Sequence, residues 1–142
     1  MTDKLHGPWI ATALNTAMSS AKLKLWISGT ANPDHQYMSD CDGAEASTTG
    51  YTSGFAGTAI TLSGLSVTYD SATNKVTLSG TAGTFSAVGV HDGYSVTLAR
   101  IYIPGTSYSD SKVVATFDCV MSLNGGNFTI TINATGIGTI AL

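Results

Sequence analysis

Charge is scarce in this sequence. Only 11% of its 142 residues are Asp, Glu, Lys or Arg, against about 25% in an ordinary globular domain, and the net charge is −3. Six Lys and Arg are scattered along the chain. They form no basic stripe that could displace counterions from a phosphate backbone, so nucleic acid is not an expected partner. Long apolar runs are missing too. No stretch approaches the ~18 continuous apolar residues of a membrane span, and no membrane partner is expected. The segment GPWIATALNTAMSSA has some of the apolar character of a signal peptide, but Asp3 offsets Lys4, and Thr12, Asn15 and Thr16 interrupt it. Export through it is not expected. Two cysteines, Cys41 and Cys119, do not define a redox compartment.

Ser and Thr fill the place that charge leaves, at roughly a quarter of the residues. Threonine is β-branched and suits a pleated, half-exposed surface, so this composition favours strands. The length suits one domain with a core of its own. Helical periodicity occurs once, where Pro8 is followed by Ile10, Ala13, Leu14, Ala17 and Met18. Proline fits a first turn, and the spacing predicts one short amphipathic helix ending near Ser19 and Ser20. After it, apolar residues recur in twos. KLKLWIS (22–28) alternates Leu23, Leu25 and Ile27 inward with Lys22, Lys24 and Trp26 outward, which predicts a strand with one wet face. A long polar stretch then reads as a loop with one short helical turn. LSVTYDSATNKVTLSG (65–80) is a hairpin about DSATN, and 94–105 is a further strand. Residues 113–123 and 127–133 read as a second hairpin about NGGN, and 137–142 as a closing strand.

Short strands between Gly-rich turns predict an all-β fold, an antiparallel sandwich of immunoglobulin-like or jelly-roll type with one N-terminal α-helix. The expected division is a helical segment over 1–20 and a single β-domain over 21–142. In that frame Cys119 lies on the inner face of its strand as an inert thiol, or pairs with Cys41.

TTGYTSGFAG (48–57) lacks the spacing of a dinucleotide or P-loop motif and opens no helix. Its Gly50, Gly54 and Gly57 read as turn or close-approach positions, with Tyr51 and Phe55 packing over them. The order of motifs around it resembles a family of small structural proteins of tailed-bacteriophage virions. The features that carry the resemblance are the Lys22–Ile27 strand, Pro33-Asp34-His35, Glu45, Gly50-Tyr51, the Thr68–Asn74 hairpin and the closing FTITINATGIGTIAL. Thr49 departs from the glycine or polar residue often found there. The resemblance implies a capsid decoration (cement) protein on the virion head surface, assembled in the bacterial host cytoplasm. Its implied partners are the major capsid protein or other virion proteins, with the chain itself a homo-oligomer. It implies no catalysis and no cofactor.

Other chemistry finds little purchase in the residues. His6, His35 and His91 lack the close pairing of zinc ligands. No G-x-S-x-G elbow accompanies the abundant serines. Asp40, Asp42, Gly43 and Glu45 have the spacing of half a calcium loop, but the remaining ligands do not fall in place, and a turn with capping carboxylates accounts for them equally. Trp9, Trp26, Tyr94 and Tyr102 could form a sugar-stacking platform, which keeps a carbohydrate- or receptor-binding module of a phage tail or head fibre as the alternative. Trp26 is either an exposed contact residue or covered by the helix. The residues expected to touch a partner are Trp9, Ile10, Leu14 and Met18 on the helix, and Trp26 on the sheet. That helix is either an attachment arm or a plug for its own domain.

Overall fold

The computed structural model describes residues 6–62, 64–80, 83–85, 95–122, 128–130 and 138–141. The helix α1 spans Gly7–Met18 and is followed by β1 (Lys22–Trp26). A long irregular stretch then contains one 3-10 turn, Met38–Asp40. The remaining strands are β2 (Ile60–Thr61), β3 (Ser66–Asp70), β4 (Lys75–Ser79), β5 (Gly83–Phe85), β6 (Ser95–Ile103), β7 (Lys112–Ser122), β8 (Phe128–Ile130) and β9 (Gly138–Ala141). They form a four-stranded sheet in the order β2-β1-β6-β7, a three-stranded sheet β3-β4-β9, and a ribbon of β5 with β8. Every pairing is antiparallel. The fold is all-β with one short α-helix.

Local chemistry explains the β3–β4 hairpin. Asp70 accepts from the Ala72 N–H at 2.9 Å and the Thr73 hydroxyl at 2.6 Å, an Asx-type turn. Asn74 takes the left-handed conformation at φ 52°, which asparagine tolerates better than most residues. The Tyr69 hydroxyl, donating to the Asn74 side chain at 2.7 Å, fixes that turn to its own strand.

α1 lies on this second sheet. Ala11 is buried with Val67 and Val76, and Ile10 and Leu14 pack beside them. The Tyr69 ring presses on Gly7 so closely that any side chain there would overlap it. Asn15 adds a polar clamp: its amide donates to the Val67 carbonyl and its oxygen accepts the Val67 N–H, both at 2.7 Å. The helix therefore covers its own domain.

The main core joins Leu23 and Leu25 of β1, Ala99 and Ile101 of β6, Met18, Ala46, Tyr51, Leu62 and Ile130, with Leu78 packed against them. Two expectations change here. The face of β1 that carries Lys24 and Trp26 is not wet: both residues are buried, because the segments after β1 and β6 fold across it. The expected hairpin over 113–133 does not form between described residues, since β7 pairs with β6 and β8 with β5. Cys119 is half-buried against the core, and both cysteines are free thiols. The NGGN turn, Ile132, His91 and Tyr94 lie outside the described residues.

Candidate functional site

The register of the first sheet creates an electrostatic problem. β1 and β6 set Lys24 directly opposite Arg100, and both side chains are fully buried. Like charges facing each other across a ladder repel, and a buried cation is costly unless paired. Each therefore needs its own counterpart, and the loops supply it.

Lys24 Nζ donates to Glu45 Oε1 at 2.7 Å and to the Gly54 carbonyl at 2.6 Å. The second Glu45 oxygen accepts the Gly54 N–H at 2.8 Å and the Tyr108 hydroxyl at 2.6 Å. The Tyr108 ring lies 5.6 Å from the Lys24 ammonium, and Phe55 meets its edge at 5.8 Å. Gly54 can serve both ions because it sits at φ 89°, a conformation that other residues rarely adopt. Tyr51, reached by a tight turn from Thr48 with Gly50 at φ 80°, is buried, and its hydroxyl accepts the Leu25 N–H at 2.9 Å. The TTGYTSGFAG stretch thus fastens the loop to β1 twice, through Tyr51 and through Gly54.

Arg100 is held differently. Its guanidinium stacks 4.5 Å from the Trp26 ring. It also donates to the Asp42 carbonyl at 3.1 Å and the Thr30 carbonyl at 3.2 Å. Asp42 in turn receives the Thr30 N–H at 2.9 Å, chiefly for which its carboxyl is held below the usual range, with Arg100 adding a smaller pull.

This polar cradle shifts its phenols upward. Burial, then the nearby Glu45 charge, raises Tyr102 to about 12. Tyr108 and Tyr51 rise further, again first through burial. Neutral phenols, a lysine–glutamate pair and a stacked guanidinium form a fastener with its groups turned on one another. The arrangement joins loops to sheet.

The sequence-predicted site residues do not converge. Met18 is buried, Ile10 and Leu14 face β3 and β4, and Trp9 alone of the helical set points outward, 72% exposed. Trp26 is 4% exposed, among Met38, Leu98 and Tyr102, with Tyr108 against them. The expectation of an exposed Trp26 is thus corrected, and loop residues rather than the helix cover it. Of the aromatics considered for a sugar platform, Trp26 and Tyr102 are buried and Trp9 stands apart. The acidic cluster is dispersed. Asp40 accepts the Gln36 and Tyr37 N–H groups, Asp42 binds Thr30, and Glu45 binds Lys24. Among the described residues no three His, Cys, Asp or Glu side chains gather as a metal site would require. No described helix is long and apolar enough to cross a membrane.

Lys24, Arg100 and Tyr108 escaped the sequence reading as a group. The available signal was a cation set between apolar neighbours on each strand, Lys24 between Leu23 and Leu25 and Arg100 between Ala99 and Ile101, a pattern that calls for a buried counter-charge. A cleft of about 310 Å³ opens between Ala31–Pro33 and His35 on one side and Val113–Thr116 of β7 on the other. Val114 is an extra residue in the β6–β7 register there, a bulge that bends the strand beside the cleft. The buried His35 Nδ1 has no hydrogen-bond partner among the described residues.

Comparison with protein-family models, with curated proteins and with solved structures finds no match.

Proposed function

We propose that this chain is a non-enzymatic structural protein of a tailed-bacteriophage virion, a capsid decoration protein that binds and stabilises the major capsid protein lattice. The observation that carries this reading is where the resemblance motifs go. The β1 strand, Glu45 and Gly50-Tyr51 meet one another in the cradle, through Lys24–Glu45 at 2.7 Å and Leu25–Tyr51 at 2.9 Å. Residues that mark the family-like pattern are thus used to fasten a loop to a sheet, as suits a rigid building block. We read the four- and three-stranded sheets as the layers of a sandwich, since Leu23, Leu25 and Ile101 of one share a cluster with Leu78 of the other. Thin surface charge supports close, salt-insensitive packing against a neighbour, where steered docking would need charged patches. The rival sugar- or receptor-binding reading finds less support, because, of its described aromatics, Trp26 and Tyr102 are buried and Trp9 stands apart.

Two measurements test the proposal. Quantitative mass spectrometry of purified virions should give hundreds of copies per particle, and added protein should protect empty shells against heat. A handful of copies at the tail or a vertex, or affinity on a glycan panel without shell binding, would overturn it.

A further inference from the structure

We propose that the cleft along the edge of β7 is a docking slot, in which a short extended, uncharged segment of a partner protein adds to the sheet as a further strand. Among the described strands β7 stands last in its sheet. The start of its outer edge is already in use. Val113 donates its N–H to the Gln36 carbonyl at 3.0 Å, Met38 donates to the Ser111 carbonyl at 2.9 Å, and Tyr37 faces Lys112 as an antiparallel bridge. This edge therefore accepts an extended chain, and residues 36–38 show the direction in which one lies.

Upstream of Gln36 the chain leaves the strand. A turn carries it away, with the Asp34 N–H on the Asn32 side chain at 2.9 Å and the His35 N–H on the Asn32 carbonyl at 3.2 Å. The cleft of about 310 Å³ opens between this turn and Val113–Thr116. Its outer wall is tied at both ends. Gln36 holds Val113, and the Thr30 carbonyl accepts from Arg100, which stands opposite Thr116 on β6. The slot is thus preformed, as binding sites usually are. Its floor on β7 is about four residues long, roughly 13 Å.

The walls describe the occupant. No Asp, Glu, Lys or Arg lines the cleft, so a charged guest would lose its hydration without a counterpart. Val113, Val114 and Pro33 offer apolar contact, and an outer strand offers backbone donors and acceptors that another extended backbone matches. His35 lines the slot, and its buried Nδ1 has no partner among the described residues. Such an atom is rare in a folded protein, and here it awaits a hydrogen-bonding group of the guest. Because Gln36 already holds Val113, a guest running antiparallel to β7 pairs from Thr116 and leaves the edge at Val113. A bulge and a covering loop are also devices that blunt an edge. This covering loop stands off and leaves room.

The inference rests on β7 and its cleft, separately from the virion reading. Titrating the isotope-labelled full chain with acetyl-Val-Thr-Val-Thr-amide should shift the amide signals of Val113–Thr116 and His35. The expected Kd is on the order of 1 mM, since a short flexible peptide must be ordered on binding. Its counterpart acetyl-Val-Pro-Val-Pro-amide lacks alternate N–H donors and should bind about tenfold more weakly. Ala31→Phe, which fills the slot from an exposed position, and His35→Ala should keep the parent's melting temperature and weaken peptide binding at least about fivefold. No shift up to about 10 mM peptide overturns the proposal. So do equal shifts from the proline peptide, shifts that follow protein concentration without peptide because two copies pair, or peptide binding that the folded variants leave unchanged.

Discussion

Removing the Glu45 carboxylate should unfasten the cradle. Glu45→Ala leaves the Lys24 ammonium buried with the Gly54 carbonyl as its remaining acceptor, and strips the Tyr108 hydroxyl and the Gly54 N–H of theirs. Breaking one partner of a buried ion pair costs about 3–5 kcal/mol. Set against a total stability of about 5–15 kcal/mol for a domain, that is a large share. At roughly 3 °C per kcal/mol for a chain of this length, the melting temperature should fall by about 10–15 °C. Glu45→Gln keeps an acceptor for Tyr108 or Gly54 and should cost less, about 1–3 kcal/mol. The pair itself is isolated by a cycle of Lys24→Met, Glu45→Gln and the double variant, followed by urea unfolding at neutral pH. The double variant should be more stable than the sum of the single losses by at least about 1 kcal/mol, since it no longer holds a lone buried charge. A Glu45→Ala protein within about 1 kcal/mol of the parent would refute the account. It would mean that the loop over β1 opens and water solvates Lys24.

Four further outcomes follow from the same geometry. Burial lifts the folded Tyr102 phenol to about 12, against about 10 in an unfolded chain, so the folded state holds that proton more tightly. The corresponding stability is intact below about pH 10 and is lost as pH rises toward 12. Absorbance at 295 nm should show a late, cooperative phase coinciding with unfolding, and a single non-cooperative titration near pH 10 would contradict it. Asn15→Ala removes two 2.7 Å bonds to the buried Val67 backbone and should cost about 1–3 kcal/mol by urea titration; Asn15→Asp, which keeps only an acceptor, should not restore it. Burial raises the thiol pKa of Cys41 and takes that of Cys119 to about 11, so a disulfide-exchange reagent at pH 8 should label the native protein slowly and the urea-unfolded protein at once. Chelator should leave the melting temperature unchanged, because Asp40, Asp42 and Glu45 are each held by different protein groups; a fall that calcium reverses would overturn that assignment.

How much of this was legible depended on the range of the physics involved. The turn after Asp70 is built from residues within four positions of one another, and the sequence reading placed that hairpin within a residue at its outer ends. The inner face of α1 was readable only in part: Ile10, Leu14 and Met18 do turn toward the domain, but Ala13 and Ala17 are exposed and the buried Ala11 was missed. Alternation in KLKLWIS correctly separated Leu23 and Leu25 from Lys24 and Trp26. It could not say whether the second face met water, because what covers that face arrives from Met38, Glu45, Gly54 and Tyr108. A lysine between leucines normally signals solvent, and only its pairing with a glutamate twenty-one positions away reverses the sign. Strand partnership fails for the same reason. Phe128–Ile130 was expected to return along 113–123, its neighbour in sequence, yet it pairs with Gly83–Phe85. Sequence adjacency is a good guide to pairing only while loop closure dominates.

The Asn15 clamp has a consequence for how copies of this protein can meet. Among the described strands β3 is the outer one of its sheet, and an outer strand is a template on which a foreign strand can nucleate. At Val67 the N–H and carbonyl that such a strand would seize are already taken by the two ends of one amide. A side chain here imitates the next strand without being able to propagate it. A strand that tried to extend the sheet past β3 would have to displace Asn15 from Val67 first.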